Sequence, residues 1–359
     1  MRVCRYLLLV AALAAGLALV ASAGARGDSA GRLLYVAPTG SDANPGTFKR
    51  PLRTIQQALD ALRPGDTAYV RRGVYSETVD ARRRGTRTAN IALRAYPGER
   101  PVITGQFKIT GAWFRVSGFV FRGGTAANPD DVAVYVSGGD DIWISANEIT
   151  GSVSSGIFLG DEGPNSSDRV RILGNDIHDN GDDRNFDHGI YFGHGRHGLV
   201  ANNLIRNNTA YGIQAYPDCD DTVFSGNTIV GNGRSGVIVG GNGELASERN
   251  NFVNNIVAFN DEIGIVAYWE GPTGEGNTAY TNLVFGNREG SVTGPALKSS
   301  RTIGGDPRFQ SRFTGNFHLG AGSPAIDSAR PEYALAIDRD GRRRPQGALP
   351  DLGAFERPR

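Results

Sequence analysis

The chain is short of cysteine. Of its 359 residues 2 are Cys, Cys4 and Cys219. Cys4 lies in an N-terminal leader, so Cys219 stands alone once that leader is gone and no internal disulfide can form. Stability must then come from a long buried core. Lysine is also scarce, with only Lys49, Lys108 and Lys298, and there are 5 His. Charge of one sign is lacking too: 38 Lys and Arg face 37 Asp and Glu, for a net charge of +1. That balance gives a nucleic acid nothing to hold. One long apolar run exists, Leu7–Val20. With Arg2 and Arg5 before it and Ala21-Ser22-Ala23 or Ala23-Gly24-Ala25 after it, residues 1–25 read as a secretory leader. A membrane anchor is the alternative, but the run is short and Ala-rich for a span. Cys4 precedes the run, the wrong place for lipid attachment. Losing Arg2 and Arg5 turns the net charge from +1 to −1. The expectation is a secreted protein with no span after cleavage.

What the chain has is a repeat. Asn-x-aliphatic triplets begin at Asn147, Asn175, Asn203, Asn227, Asn255 and Asn282, at intervals of 28, 28, 24, 28 and 27 residues. A Gly before Ile or Val recurs at Gly156, Gly189, Gly212, Gly236 and Gly264. Fixed periods of this size mean a solenoid. Within each repeat apolar residues alternate at period two, as in Ile157-Phe158-Leu159 and Val237-Ile238-Val239, which is the strand pattern. The predicted fold is all-β, a single-stranded parallel β-helix over residues 91–300. The Asn column suits a left-handed turn position with side chains bonded from rung to rung. Residues 26–90 form an N-terminal cap and first coils. There Thr54-x-x-Gln57 reads as a capping box, and Ile55, Ala58, Leu59 and Leu62 make one apolar helical face that ends at Pro64-Gly65. Such a helix covers the first coil. Residues 301–359, with GDPRF, DRDGRRRP and DLGAFE, read as a C-terminal cap, set against a sorting or anchoring element. Asp338-x-Asp340-Gly341 resembles the start of a calcium loop but lacks its downstream Glu.

The string YVAPTGSDANPGT…RPLRTIQQALDALRPGDTAYVRRGVY resembles the N-terminal segment of secreted right-handed β-helix proteins of the pectate-lyase-like superfamily, including polysaccharide lyase family 9. The resemblance implies a right-handed solenoid. For family 9 it further implies an Asp cluster for calcium and a lysine base.

Alternation sets which side chains face out. In the Gly-Ile strands the outward column is Tyr135, Phe158, Tyr191, Gln214, Ile238 and Val266, and the next is Ser137, Gly160, Gly193, Tyr216, Gly240 and Tyr268. Rungs lie about 4.8 Å apart, so these columns form one strip suited to sugar rings. Tyr135, Phe158, Tyr211, Gln214, Tyr216, Tyr268 and His194 are the candidate substrate-binding residues. Six positions before each Asn stands a mixed-charge ladder, Asp141, Arg169, His197, Asp221 and Arg249, which cross-strand pairing explains.

The repeat is interrupted once. Between Asn175 and Gly189 the spacing is 14 residues instead of 9. The insertion brings Asp182, Asp183, Asp187 and His188, and four of the five histidines (His178, His188, His194, His197) lie in this rung. Loops on a rigid scaffold are where function concentrates. Cleaving a uronate polymer by β-elimination needs the sugar carboxylate neutralised, a base for its α proton and an acid for the leaving oxygen. Ca²⁺ held by Asp161, Glu162, Asp182, Asp183 and Asp218, or else Arg234, would do the first. His188 and Tyr191 would share base and acid, with Asp187 beside them. Strict alternation points His188 inward, but its counterparts Ser155, Tyr211, Ser235 and Ile263 mix polar and apolar as a corner does, so the expectation is that His188 reaches the groove.

Departures from known patterns bear on this. No lysine lies in the regular rungs beside the cluster, which argues against carrying over the family 9 base. FDHGIY is closer to alginate-type β-helix epimerases and lyases, which use Asp, His and Tyr on the sheet, but it lacks their Asp-Pro-His triplet. Gly193-His194-Gly195 precedes Asp220-Asp221 and the other polygalacturonase motifs are missing, which excludes that hydrolase family. The histidine spacing fits no standard zinc site. The reading is a secreted monomeric lyase or epimerase acting on an acidic polysaccharide. The alternatives are a non-catalytic glycan-binding β-helix and a glycoside hydrolase using Asp187 with Asp218.

Overall fold

The computed structural model describes residues 31–123, 132–160, 166–268 and 274–359. The expected leader, residues 1–25, lies outside the described residues. The chain winds into three parallel sheets, as the period-two pattern requires. Sheet A has 11 strands, from Leu33–Val36 to Leu297–Ser300; sheets B and C have 9 each, running from Val79–Ala81 to Gly290–Thr293 and from Val74–Tyr75 to Leu283–Phe285. From the second sheet-A strand, Thr67–Val70, onward each coil passes from A to C to B. The inward positions are apolar and sealed: Ile157, Ile190, Ile213 and Ile265 are fully buried, and Phe224 stacks on Phe252 at 4.7 Å.

Two buried ladders hold the corners. At the A–C corner Asn175 Nδ2 donates to Asn203 Oδ1 at 2.9 Å, and Asn203 Nδ2 donates to Asn227 Oδ1 at 3.0 Å, the same link running from Asn147 to Asn282. The left-handed turn position is not the Asn itself, as expected, but the residue before it: Ala146, Asn202, Asn254 and Thr281 have φ of 52–59°. That turn aims the next side chain into the coil, where the amide replaces water for the corner's backbone groups. A second ladder, Asn180, Asn208, Asn232, Asn260 and Asn287, does the same at the C–B corner, five residues on in each coil. The mixed-charge ladder also sits at a turn and not within a strand. Asp141, Arg169, His197, Asp221 and Arg249 all have positive φ, and Arg169 and Arg249 bond back to Asp141 and Asp221.

The helix Ile55–Ala61 forms where predicted and buries Ile55, Ala58 and Leu59 over the first coil. Thr54 Oγ1 accepts from Gln57 N, but the two N–H groups ahead of it are held by Glu77, at 2.8 Å (Ile55) and 3.1 Å (Gln56). The closing segment, expected as a cap, packs mostly along the outer faces of sheets A and C. Ile303 extends sheet C by one bridge, and the chain then lies back along the flank, with Asn202 and Asn254 amides bonded to Ile337 and Arg330 carbonyls. Its carboxylates serve backbone: Asp338 accepts from Arg342 N at 2.7 Å and Glu356 N at 2.8 Å. Asp340 bonds His318 and Arg342. The apparent calcium-loop start is therefore a structural turn. No described helix is long and apolar enough to cross a membrane.

Candidate active site

Sheet B carries the predicted strip. Its outward residues pair in unbroken register: Asp80, Lys108, Tyr135, Phe158, Tyr191, Gln214, Ile238 and Val266. Tyr135 and Phe158 stack at 5.3 Å and 4°, Phe158 and Tyr191 meet at 4.7 Å, and Lys108 Nζ lies 5.2 Å from the Tyr135 ring centre. The rings thus spend their faces on one another. What they present outward is their rims. Beyond Tyr191 the column closes: Gln214, Ile238 and Val266 are buried. The open part, Asp80 to Tyr191, spans four rung steps, about 19 Å.

Lys108 is a groove residue that the repeat motifs do not mark. It precedes the first Gly-Ile repeat, yet its strand Phe107–Ile109 pairs with Val134–Val136 and places it in the groove column. The alternation of Phe107-Lys108-Ile109 is the signal that points it outward. Thr110 Oγ1 and Asp80 Oδ1, 3.0 Å apart, close that end.

The interrupted rung departs from expectation. His188 is 1% exposed, but its ring is covered on the groove side of sheet B, among Tyr191, Tyr211 and Arg234, and not in the core. It stacks on Tyr211, meets Tyr191 edge-on at 5.5 Å, and its Nδ1 accepts the Tyr211 backbone N–H at 3.4 Å. Burial, then the nearby Arg234 charge, push its pKa down to about 3. It is a neutral wedge behind Tyr191, out of reach of a substrate. Asp187 is buried as well. It accepts from the backbone of Asp182 (3.0 Å) and Asp183 (2.7 Å) and from Ser154 Oγ, so it ties down the inserted loop. Burial raises its pKa against those bonds. Arg234 is committed to Glu262 at 2.9 Å and lies over the Tyr211 ring. Tyr211 is 2% exposed, packed with Ile238 and Val266, which removes it from the binding surface. Gln214 is covered too. Tyr216 is half-buried and Tyr268 is exposed.

His194 lies three residues past Tyr191 on the long strand Ile190–Arg196, level with Asp218 on Ile213–Asp220. It is buried, and its Nδ1 has no partner among the described residues. An imidazole nitrogen left unpaired at that depth costs stability and suits a group kept for a ligand.

The expected calcium set does not assemble from the described residues. Asp182 and Asp183 turn their backbone toward Asp187, Asp183 Oδ1 takes the Asn185 N–H at 2.7 Å, and Asp218 sits on another strand beside His194. Asp161 and Glu162 lie outside the described residues. Among the described residues no three His, Cys, Asp or Glu side chains could hold a metal ion.

The burial of His188 makes stability depend on pH. Folded, it titrates at about 3; unfolded, near 6.5. As pH falls below about 6.5 the unfolded chain takes the proton first, so stability is lost by roughly 1.4 kcal/mol per unit until the folded value is reached. Wild type should lose about 2 kcal/mol more than His188→Phe between pH 7 and pH 5 in urea melts. Equal losses would show that the ring is not shielded.

Comparison with known proteins agrees with the coil geometry. A family model described as "Pel9A-like, right handed beta helix region" matches residues 34–292. The solved structure of pectate lyase Pel9A superposes over 92% of this chain and 98% of its own, with TM-score 0.62 and 18% identity. Pectate lyase PEL9 of Emericella nidulans is 43% identical over 75 residues, 20% of this chain and 18% of that protein. The uncharacterized protein YwoF of Bacillus subtilis is 40% identical over 79 residues, 22% of this chain and 17% of that one. The chain therefore matches under a fifth of the length of these two relatives, while the family match runs through nearly the whole solenoid. On that match, the chain belongs to the Pel9A-like right-handed β-helix family.

Proposed function

We propose that this protein is a secreted polysaccharide lyase, or the mechanistically related epimerase, that binds a uronate polymer along the open column of sheet B. The observation that carries the reading is that column: a cation, an aromatic stair and a tyrosine in continuous register on a rigid sheet. The family and the pectate lyase names of two relatives support the reaction class.

In the elimination, the carbon bearing the carboxylate loses its proton. The freed electron pair forms a double bond to the next carbon, and the bond from that carbon to the glycosidic oxygen breaks, that oxygen taking a proton. An epimerase shares the first loss and returns a proton to the opposite face. Tyr191 is assigned the proton-moving role, since it is outward and held edge-on by a neutral ring. Lys108 lies three rungs away, about 14 Å. It cannot serve the same reacting carbon, so it holds the carboxylate of a sugar unit nearer the N-terminal end. His194, whose buried Nδ1 has no partner among the described residues, is the second group assigned to the site. Export follows from the leader at residues 1–25, and the protein acts as a monomer.

Incubation with pectate, polygalacturonate and alginate, with and without chelator, tests this. A lyase yields new ultraviolet absorbance from unsaturated ends, and an epimerase yields changed uronate composition. Reducing ends without unsaturation, or binding without products, would overturn the assignment.

A further inference from the structure

The groove is not the only place where charge is gathered. On the opposite flank the outward columns of sheet A carry Arg94, Ser117 and Ser145 in one line, and Arg115, Trp143 and Arg171 in the next. The closing segment roofs them with Leu335, Ile337, Asp338 and Arg339, leaving a cavity of about 300 Å³. That is the lower end of small-molecule site volumes.

The lining is cationic, and two of its three arginines lack an ion-pair partner among the described residues. Arg115 Cζ lies 4.3 Å from the Trp143 ring centre and Arg171 Cζ lies 5.3 Å from it, so the three planar groups stack. The Nε atoms of Arg115, Arg171 and Arg339 are buried with no hydrogen-bond partner. Among the described residues neither Arg94 nor Arg115 makes an ion pair, whereas Arg339 reaches Asp176 at 3.5 Å. The one carboxylate in the lining, Asp338, gives both oxygens to backbone N–H groups. Burial and the adjacent Arg94 depress the Arg115 pKa. Arg94 and Arg115 are half-buried, and like charges side by side at that depth are costly unless an anion joins them.

We infer that this cavity between sheet A and the closing segment is a second binding site, for an oxyanion, with Arg94 and Arg115 as the charged clamp and the Ser117 and Ser145 hydroxyls on its floor. The oxyanion comes either from a free inorganic ion or from the carboxylate of a uronate oligosaccharide. The site is separate from the groove and does not depend on the lyase reading. A ligand there would also pin the closing segment to the solenoid through the roof residues.

Tryptophan fluorescence of the full chain, titrated at constant ionic strength with sulfate, inorganic phosphate and trigalacturonate, tests it. The expected result is a saturable change that is lost in Trp143→Phe. It should weaken at least tenfold in Arg94→Gln and Arg115→Gln and be unaltered in Lys108→Met. Ser117→Asp, which keeps both arginines and places an acid among them, should abolish it as well. This covers the case in which an Arg variant fails to fold. Saturation by sulfate as strongly as by the sugar assigns the free ion. Tenfold tighter sugar binding assigns the oligosaccharide. A change that is linear, matched by chloride, or intact in Ser117→Asp would overturn the site.

Discussion

Tyr191→Phe should lower turnover of the uronate substrate by roughly 10²- to 10⁴-fold, the range that one proton-transferring side chain contributes. Binding should fall far less. The substitution removes only the hydroxyl, while the ring stays between Phe158 and His188, where its contacts at 4.7 and 5.5 Å hold the floor in place. The expected signature is a large fall in kcat with KM changed less than about fivefold, since the lost interaction acts in the transition state. Lys108→Met should show the opposite split, with KM raised and kcat largely kept. If Tyr191→Phe keeps wild-type kcat, Tyr191 is part of the floor and nothing more.

Asn203→Ala should destabilise the solenoid by about 3–5 kcal/mol, more than most single substitutions. The side chain accepts from Asn175 N and Nδ2, both at 2.9 Å, and donates to Ile172 O at 2.8 Å and Asn227 Oδ1 at 3.0 Å. It is fully buried, so water cannot take over these bonds. A polar group left without a partner there costs about 1–3 kcal/mol, and the change orphans Asn175 N besides weakening both ladder neighbours. Asn185→Ala, on the exposed inserted loop, should change stability by under about 0.5 kcal/mol. Urea melts compare the two. A loss within about 1 kcal/mol for Asn203→Ala would mean that the ladder only decorates the corner.

The solenoid is legible in the sequence because its signals are periodic. The Asn triplets and Gly-Ile pairs recur once per coil, and alternation places Ile190 and Phe192 in the core and Tyr191 outside. The second ladder has the same period but is harder to see, because Asn180, Asn208 and Asn232 are succeeded by Gly, Thr and Gly, with no fixed triplet. Alternation fails for His188: it points the ring inward, whereas the ring lies covered among Tyr191, Tyr211 and Arg234. The polar counterparts that speak for an open corner, Ser155 and Ser235, are themselves buried. Ser155 Oγ receives the His188 N–H at 2.8 Å and Ser235 Oγ bonds Glu262 at 3.3 Å. Carboxylates are the least legible group. Composition shows acids near one another but not whether they face a ligand or the backbone, and Asp187 and Asp338 both face backbone. Lys108 is hidden for another reason: it lies ahead of the regular repeat, although it belongs to the same column.

The central claim is the location of the substrate, and a crystal structure of the Tyr191→Phe protein with a uronate tetrasaccharide tests it most directly. The account predicts sugar density along Lys108, Tyr135, Phe158 and residue 191, with one carboxylate on the Lys108 ammonium. Ordered sugar on another sheet, or density on sheet B that avoids Lys108 and residue 191, would contradict it.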